Sequence, residues 1–128
     1  SVRRMPFNKP YEFQSKNIVV IQHAVDNKHL RVKPNRLQQI NHNGGKGEFA
    51  RWEADPQSNA SQLRLKSTKT NKYLRIVRNK KTGKYAVNVG GEGGKFTVFN
   101  IHYVDENDHS NGRVKLESTV FPGTYLAV

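Results

Sequence analysis

The sequence predicts an all-β fold, and three observations carry that prediction. Apolar and polar residues alternate with period two in stretches such as His29-Leu30-Arg31-Val32-Lys33 and Leu63-Arg64-Leu65-Lys66. That spacing puts one set of side chains on a buried face and the other in solvent. The stretches are short, are separated by Gly, Pro, Asn and Asp clusters that suit turns, and none has the spacing of a helix of normal length. The same order of pieces also recurs along the chain, which marks an internal repeat.

In chain order, Val2 to Phe13 is interrupted by Pro6 and Pro10, which argue against a helix, and Tyr11-Glu12-Phe13 is its strand-like piece. Ile18-Val19-Val20-Ile21 is β-branched and strand-like. Asp26-Asn27-Lys28 turns the chain into His29 to Lys33, and Pro34-Asn35 turns it into a short strand from Leu37 to Ile40. Asn43 to Gly47 is a loop, after which Glu48-Phe49-Ala50-Arg51-Trp52-Glu53 alternates again. Beyond the loop Asp55 to Ser61, Leu63 to Lys66 and Tyr73 to Ile76 form a hairpin across the polar turn Ser67 to Lys72. Lys80 to Lys84 turns into the strand Tyr85 to Val89, Gly90 to Lys95 is a glycine loop, and Phe96 to Tyr103 is the longest strand candidate. After the polar loop Asp105 to Gly112 come Arg113 to Glu117, a turn at Phe121-Pro122-Gly123, and Tyr125 to Val128. The expected core is Leu30, Phe49, Leu65, Leu74, Phe96, Leu116 and Leu126; Trp52, out of phase with Phe49, is placed at the surface.

One repeat unit reads strand, turn, aromatic-or-His followed by Leu and a short strand, turn, strand, and a Phe-led strand. Its central leucines are Leu30, Leu74 and Leu126, spaced 44 and 52 residues apart. Units of about 40 residues with four strands suit propeller blades or trefoil lobes, and a propeller needs about four blades or more. Two and a half copies therefore predict a β-trefoil, three four-strand lobes forming a six-stranded barrel capped by hairpins, with residues 1–128 as a single domain. The last lobe lacks its second half after Val128. Val2 to Met5 and Tyr11 to Gln14 are expected to supply its third and fourth strands and so to leave no open barrel edge.

Composition narrows the function. The formal charge is +12 and the sequence pI about 10.2, which favours anionic partners: nucleic acid, sulfated glycans, acidic lipids or an acidic filament. With no cysteine, disulfides, thiol catalysis and Cys-ligated metals are excluded, and a reducing compartment is the natural setting. No apolar run approaches the roughly 20 residues needed to span a bilayer. Ser1 to Phe7 has no apolar centre of a signal peptide, so the chain is read as leaderless, either cytoplasmic or exported by an unconventional route, and as a monomer.

The charge is concentrated. From Pro56 to Gly91 there is no acidic residue, while Arg64, Lys66, Lys69, Lys72, Arg75, Arg78, Lys80, Lys81 and Lys84 are all basic. These nine are the candidate polyanion-binding residues: Arg64, Lys66 and Arg75 share the outward face of a hairpin, and the turn lysines stand at loop tips. Such a patch can neutralise several phosphates or sulfates, with strongly salt-dependent affinity. No catalytic, cofactor or metal site is expected. Gly44 to Gly47 and Gly90 to Lys95 lack the Lys-Ser or Lys-Thr and following helix of a phosphate loop. His23, His29, His42, His102 and His109 stand in no metal-ligand spacing. The acidic pairs are Glu53 with Asp55 and the group Asp105, Glu106 and Asp108; a glycosidase needs two carboxylates across one cleft, and the latter group reads as a solvated turn.

Lys66-Ser67-Thr68-Lys69-Thr70-Asn71-Lys72-Tyr73-Leu74 resembles the second-lobe hairpin of fibroblast growth factors, with His29-Leu30-Arg31-Val32 and the Phe49 stretch at matching places. Phe96-Thr97-Val98-Phe99 together with Leu116 to Leu126 resembles the interleukin-one cytokine signature. The same hairpins are similar to those of fascin and hisactophilin, which are actin-binding trefoils. The first two resemblances imply a non-enzymatic, growth-factor-like or cytokine-like module that presents a basic surface to a sulfated glycan or a protein receptor. The likeness to fascin and hisactophilin implies an intracellular actin-binding module, and nucleic-acid binding is a further expectation, from the charge alone.

Overall fold

The structure, a computed structural model, describes residues 2–4, 17–23, 28–59, 61–104 and 113–126. Eleven strands run through the described residues: β1 (Val2–Arg4), β2 (Ile18–Val19), β3 (Ile21–His23), β4 (His29–Lys33), β5 (Arg36–Gly44), β6 (Trp52–Pro56), β7 (Gln62–Ser67), β8 (Tyr73–Arg78), β9 (Tyr85–Gly91), β10 (Phe99–Tyr103) and β11 (Arg113–Ser118). Every pairing is antiparallel. β1 pairs with β3 and β11, β11 with β10, β10 with β7, β7 with β6, and β6 with β2. Since β2 and β3 are consecutive pieces of one stretch, these pairings close a ring of six strands and leave no barrel edge between them. The hairpins β4–β5 and β8–β9 stand outside the ring, and a bridge between Glu117 and Tyr125 begins the third. This is a β-trefoil.

The repeat is legible atom by atom. In β4–β5, His29 lies opposite Gly44 and Arg31 opposite Asn41, with a bulge between; in β8–β9, Tyr73 lies opposite Gly91 and Arg75 opposite Asn88, again with a bulge. Arg31 Nε donates to Asn41 Oδ1 at 3.0 Å, and Arg75 Nε donates to Asn88 Oδ1 at 2.8 Å. Each bulge disrupts the ladder and twists the strand, and the Arg–Asn pair borders it. Lobes two and three share a second motif. Ser67 Oγ accepts from Lys69 N and Thr70 N, and Ser118 Oγ accepts from Val120 N and Phe121 N. The following Thr68 and Thr119 reach the carbonyls of Arg51 and Val98. Buried serines that satisfy their own turn cost the core little.

The core lies inside the ring and under the hairpins. Leu30, Leu74 and Leu126 are all buried, as are Leu65 and Leu116. Two expected core residues lie elsewhere. Phe49 is partly buried against the cluster, and Phe96 stays outside it, stacked with Phe121. Trp52, expected at the surface, is fully enclosed, and its Nε1 donates to the Leu30 carbonyl at 3.1 Å. The reason is local: Glu48–Ala50 and Lys95–Thr97 are single 3-10 turns, not strand. Each turn resets the phase, so the strands start at Trp52 and Phe99, and these two equivalent residues point inward. β5 also runs past the expected Leu37 to Ile40, from Arg36 to Gly44, and Gly90 and Gly91 belong to β9 rather than a loop.

Val2–Arg4 takes the place in the barrel between β11 and β3, the position of a lobe's fourth strand. The expectation gave that place to Tyr11 to Gln14, which lies outside the described residues, as do Asp26 and Asn27 of the expected turn Asp26-Asn27-Lys28, His109, and the acidic group Asp105, Glu106 and Asp108.

Candidate polyanion-binding surface and groove

Lobe two carries the nine basic residues on β7, β8 and the turns that follow them, and the fold divides them. Lys66, Lys69 and Lys72 each meet a carboxylate. Lys66 Nζ is 3.9 Å from Glu53, Lys69 Nζ is 3.3 Å from Glu48, and Lys72 pairs with Glu92. These acids come from outside the acid-free stretch, and the ring and hairpin pairings fold them over it. Pairs this exposed contribute on the order of 0–1 kcal/mol each to stability, but each carboxylate offsets the charge of its lysine. Lys66 also lies 5.9 Å from the Tyr73 ring centre and Lys69 5.2 Å from that of Phe49.

Arg64 and Arg75 are half-buried and hold backbone geometry. Arg64 Nε donates to Thr97 Oγ1 at 2.8 Å and its Nη1 to Gln57 at 2.6 Å, so it pins the 3-10 turn that carries Lys95 and Phe96. Arg75 is committed to Asn88, at the bulge.

Arg78, Lys80, Lys81 and Lys84 have no carboxylate partner among the described residues. Arg78 donates to the Gly83 carbonyl at 3.3 Å, and its guanidinium carbon stands 5.6 Å from the Tyr85 ring centre. Lys80, Lys81 and Lys84 are exposed on the turn that joins β8 to β9. Asn79 Oδ1 shapes this turn by accepting from Lys81 N and Thr82 N, and Gly83 supplies the left-handed φ of +71° that the turn requires. The lysine ammonium groups are therefore held out from a defined turn. Lys95, absent from the sequence-level set, joins them over the Phe96 ring at 5.3 Å. It stands beyond the glycines that end the acid-free run, where no linear scan of charge would group it with Lys80.

Between these cations lies a groove of about 390 Å³, lined by Val77, Arg78, Lys80, Lys95, Phe96, Val120 and Phe121. Phe96 and Phe121 stack at 5.8 Å, and Tyr85 meets Phe121 edge-on at 5.2 Å. The floor is apolar and the rim cationic. A smaller cavity of about 210 Å³ beside Arg75, Glu92 and Thr97 shares Phe96 as its wall.

Four of the histidines, His23, His29, His42 and His102, lie among the described residues. His29 Nδ1 sits 3.3 Å from the Gly44 carbonyl, and His23 stacks on His42 at 5.4 Å. His102 Nε2 meets Glu117 Oε1 at 2.7 Å, while Glu117 Oε2 accepts from Gly123 N at 2.7 Å. The Gly123 amide, then the His102 ring, hold the Glu117 carboxyl below the usual carboxylate range. This pair clamps the turn that carries Val120 and Phe121. Among the described residues no group of three or more His, Asp or Glu could hold a metal ion, and no helix is long and apolar enough to cross a membrane.

No protein-family model matches the sequence, and no curated protein matches it either. Solved structures do match. One is described as the BEL beta-trefoil in an apo crystal form; it is 15% identical to this chain, with a TM-score of 0.57 over 90% of this chain and 77% of that one. At that identity the likeness speaks to architecture alone. The chain has the β-trefoil fold.

Proposed function

We propose that the chain is a non-enzymatic binding module, residues 1–128 acting as one domain, that holds an anionic macromolecule on a basic surface in the manner of a growth factor or cytokine. A sulfated glycan and an acidic protein receptor are the partners this reading covers. The observation that supports it best is the set Arg78, Lys80, Lys81, Lys84 and Lys95, cations that no described carboxylate neutralises, gathered on one hairpin and the turn beside it. A rigid barrel that holds such loops gives multivalent Lys and Arg contact at little ordering cost. Affinity would come from released counterions and selectivity from the shape of the turns.

Heparin chromatography tests the reading. Retention beyond about 0.15 M salt, where screening already acts over about 8 Å, is the expected result. Elution below that ionic strength sinks it. Co-sedimentation with actin filaments and a gel shift with RNA are parallel arms for the two alternative partners, actin and nucleic acid.

A further inference from the structure

The two complete units of the trefoil place the same scaffold around two grooves, and only one is satisfied from within. Between lobes one and two, the 3-10 turn Glu48–Ala50 faces the turn after Ser67, and Lys69 lies over Phe49 and pairs with Glu48. Between lobes two and three, the turn Lys95–Thr97 faces the turn after Ser118. Here Lys95 stands where the first groove has Glu48, Phe96 where it has Phe49, and Val120 where it has Lys69. The backbone equivalence is close: Gly47 and Gly94 precede the two turns with φ −76° and −79°, and both serines cap the following two amides. The carboxylate of the first groove has become a cation, and the bridging cation has become an apolar side chain. Lys95 has no described acid to meet, and the ring of Phe96 is left as the floor of an open groove.

Resting on the polyanion reading above, we propose that this groove receives an acidic peptide segment of a partner protein. One aromatic or aliphatic side chain of that segment sits on Val77, Phe96, Val120 and Phe121, and flanking carboxylates meet Lys95, Arg78 and Lys80. The chemistry decides for a peptide over a sulfated glycan. At about 390 Å³ the groove falls in the roughly 300–1,000 Å³ range of ligand pockets, and its floor is four apolar side chains. A sugar chain brings hydroxyls and sulfates, which gain little there, whereas an acidic peptide supplies the apolar anchor and the charge together.

The test uses fluorescence anisotropy with a synthetic nonapeptide of alternating Glu and Asp around one central Phe, its Phe-to-Ser analogue, and a heparin-derived oligosaccharide. Three proteins are compared: the wild-type chain, Val120→Lys, and Lys95→Glu. Val120→Lys copies the side chain at the equivalent place in the first groove and raises the net charge. Circular dichroism melts confirm that each variant is folded. The wild-type chain is expected to bind the Phe peptide at least about tenfold more tightly than the Ser analogue, the scale of burying one aromatic side chain. Val120→Lys should lose that preference while holding or raising its affinity for the oligosaccharide, and Lys95→Glu should weaken the Phe peptide. Equal binding of the two peptides, or an unaltered preference in Val120→Lys, overturns the groove proposal and leaves the polyanion reading intact. Loss of the oligosaccharide in Val120→Lys makes the groove a glycan site and overturns it too. Failure of the wild-type chain to bind either probe removes the polyanion reading itself.

Discussion

Glu117 shows how a single side chain on this scaffold can hold the wall of the groove. One carboxylate oxygen accepts from the Gly123 amide and the other meets His102, so the carboxylate ties the turn after Ser118 back onto β11 and β10. Both contacts favour the charged form and lower its pKa, the amide most. A folded-state pKa below the unfolded value means that the contribution is fully present above the unfolded value and is lost as pH falls through the folded one. Melting curves should show this as a gap between the wild-type chain and Glu117→Gln that is widest near neutrality and narrows as pH drops below about 4.5. A gap constant down to strongly acid pH would show that the carboxylate's charge has no part in holding the turn. The residue is legible in the sequence only as one acid in an alternating strand. Its partners lie 15 residues before it and 6 after it, and only the barrel pairing of β10 with β11 brings them together.

At the scale of elements, the leucine rhythm and most strands were legible because burial on one face forces period two. The expected hairpin of Leu63 to Lys66 with Tyr73 to Ile76, by contrast, reduces to the single pair Lys66–Tyr73, and β8 makes its hairpin with β9. The 3-10 turns were not legible. Glu48 to Glu53 reads as strand on paper with Phe49 facing inward, yet three residues coil before the strand begins, which reverses the faces and buries Trp52 instead of exposing it. Nothing in the identities of Phe49 and Trp52 distinguishes the two phases. What marks the turn is the glycine run before it, in which Gly91 is required by close approach and Gly45 is not. A Cβ on Gly91 would overlap Thr97 Cγ2 and come within 3.0 Å of the Tyr73 carbonyl, whereas one on Gly45 would meet nothing within 4 Å. Gly91→Ala should therefore cost on the order of 1–3 kcal/mol by overpacking, and Gly45→Ala should stay within about 0.5 kcal/mol of wild type. Urea midpoints measure both. Equal midpoints would mean that the strand and the 3-10 turn do not pack as closely as the pairing of Tyr73 with Gly91 places them.

For the whole molecule, a formal charge of +12 invites the view that any polyanion is held by the net field, with no residue special. The fold argues otherwise, because it neutralises some lysines and spares others. The sequence displayed the nine basic residues as one run; it concealed that Lys66, Lys69 and Lys72 would meet Glu53, Glu48 and Glu92, and that Lys95 would join the unpaired set. Long-range strand pairing fixes those meetings, and charge pattern along the chain carries no trace of it. Two triple variants separate the views. Lys66→Glu with Lys69→Glu and Lys72→Glu, and Lys80→Glu with Lys81→Glu and Lys84→Glu, each bring the formal charge from +12 to +6. If net field governs, both sets lose heparin affinity equally and share one salt slope. If the unpaired hairpin cations make the contacts, the second set should lose at least about tenfold more affinity than the first and show a shallower dependence on salt, because fewer counterions are released on binding. The first set also places like charges beside three existing carboxylates, so its melting temperature should fall while its heparin retention is the better preserved of the two. A binding loss that instead tracks the first set would move the site to the face of β7 and away from the groove.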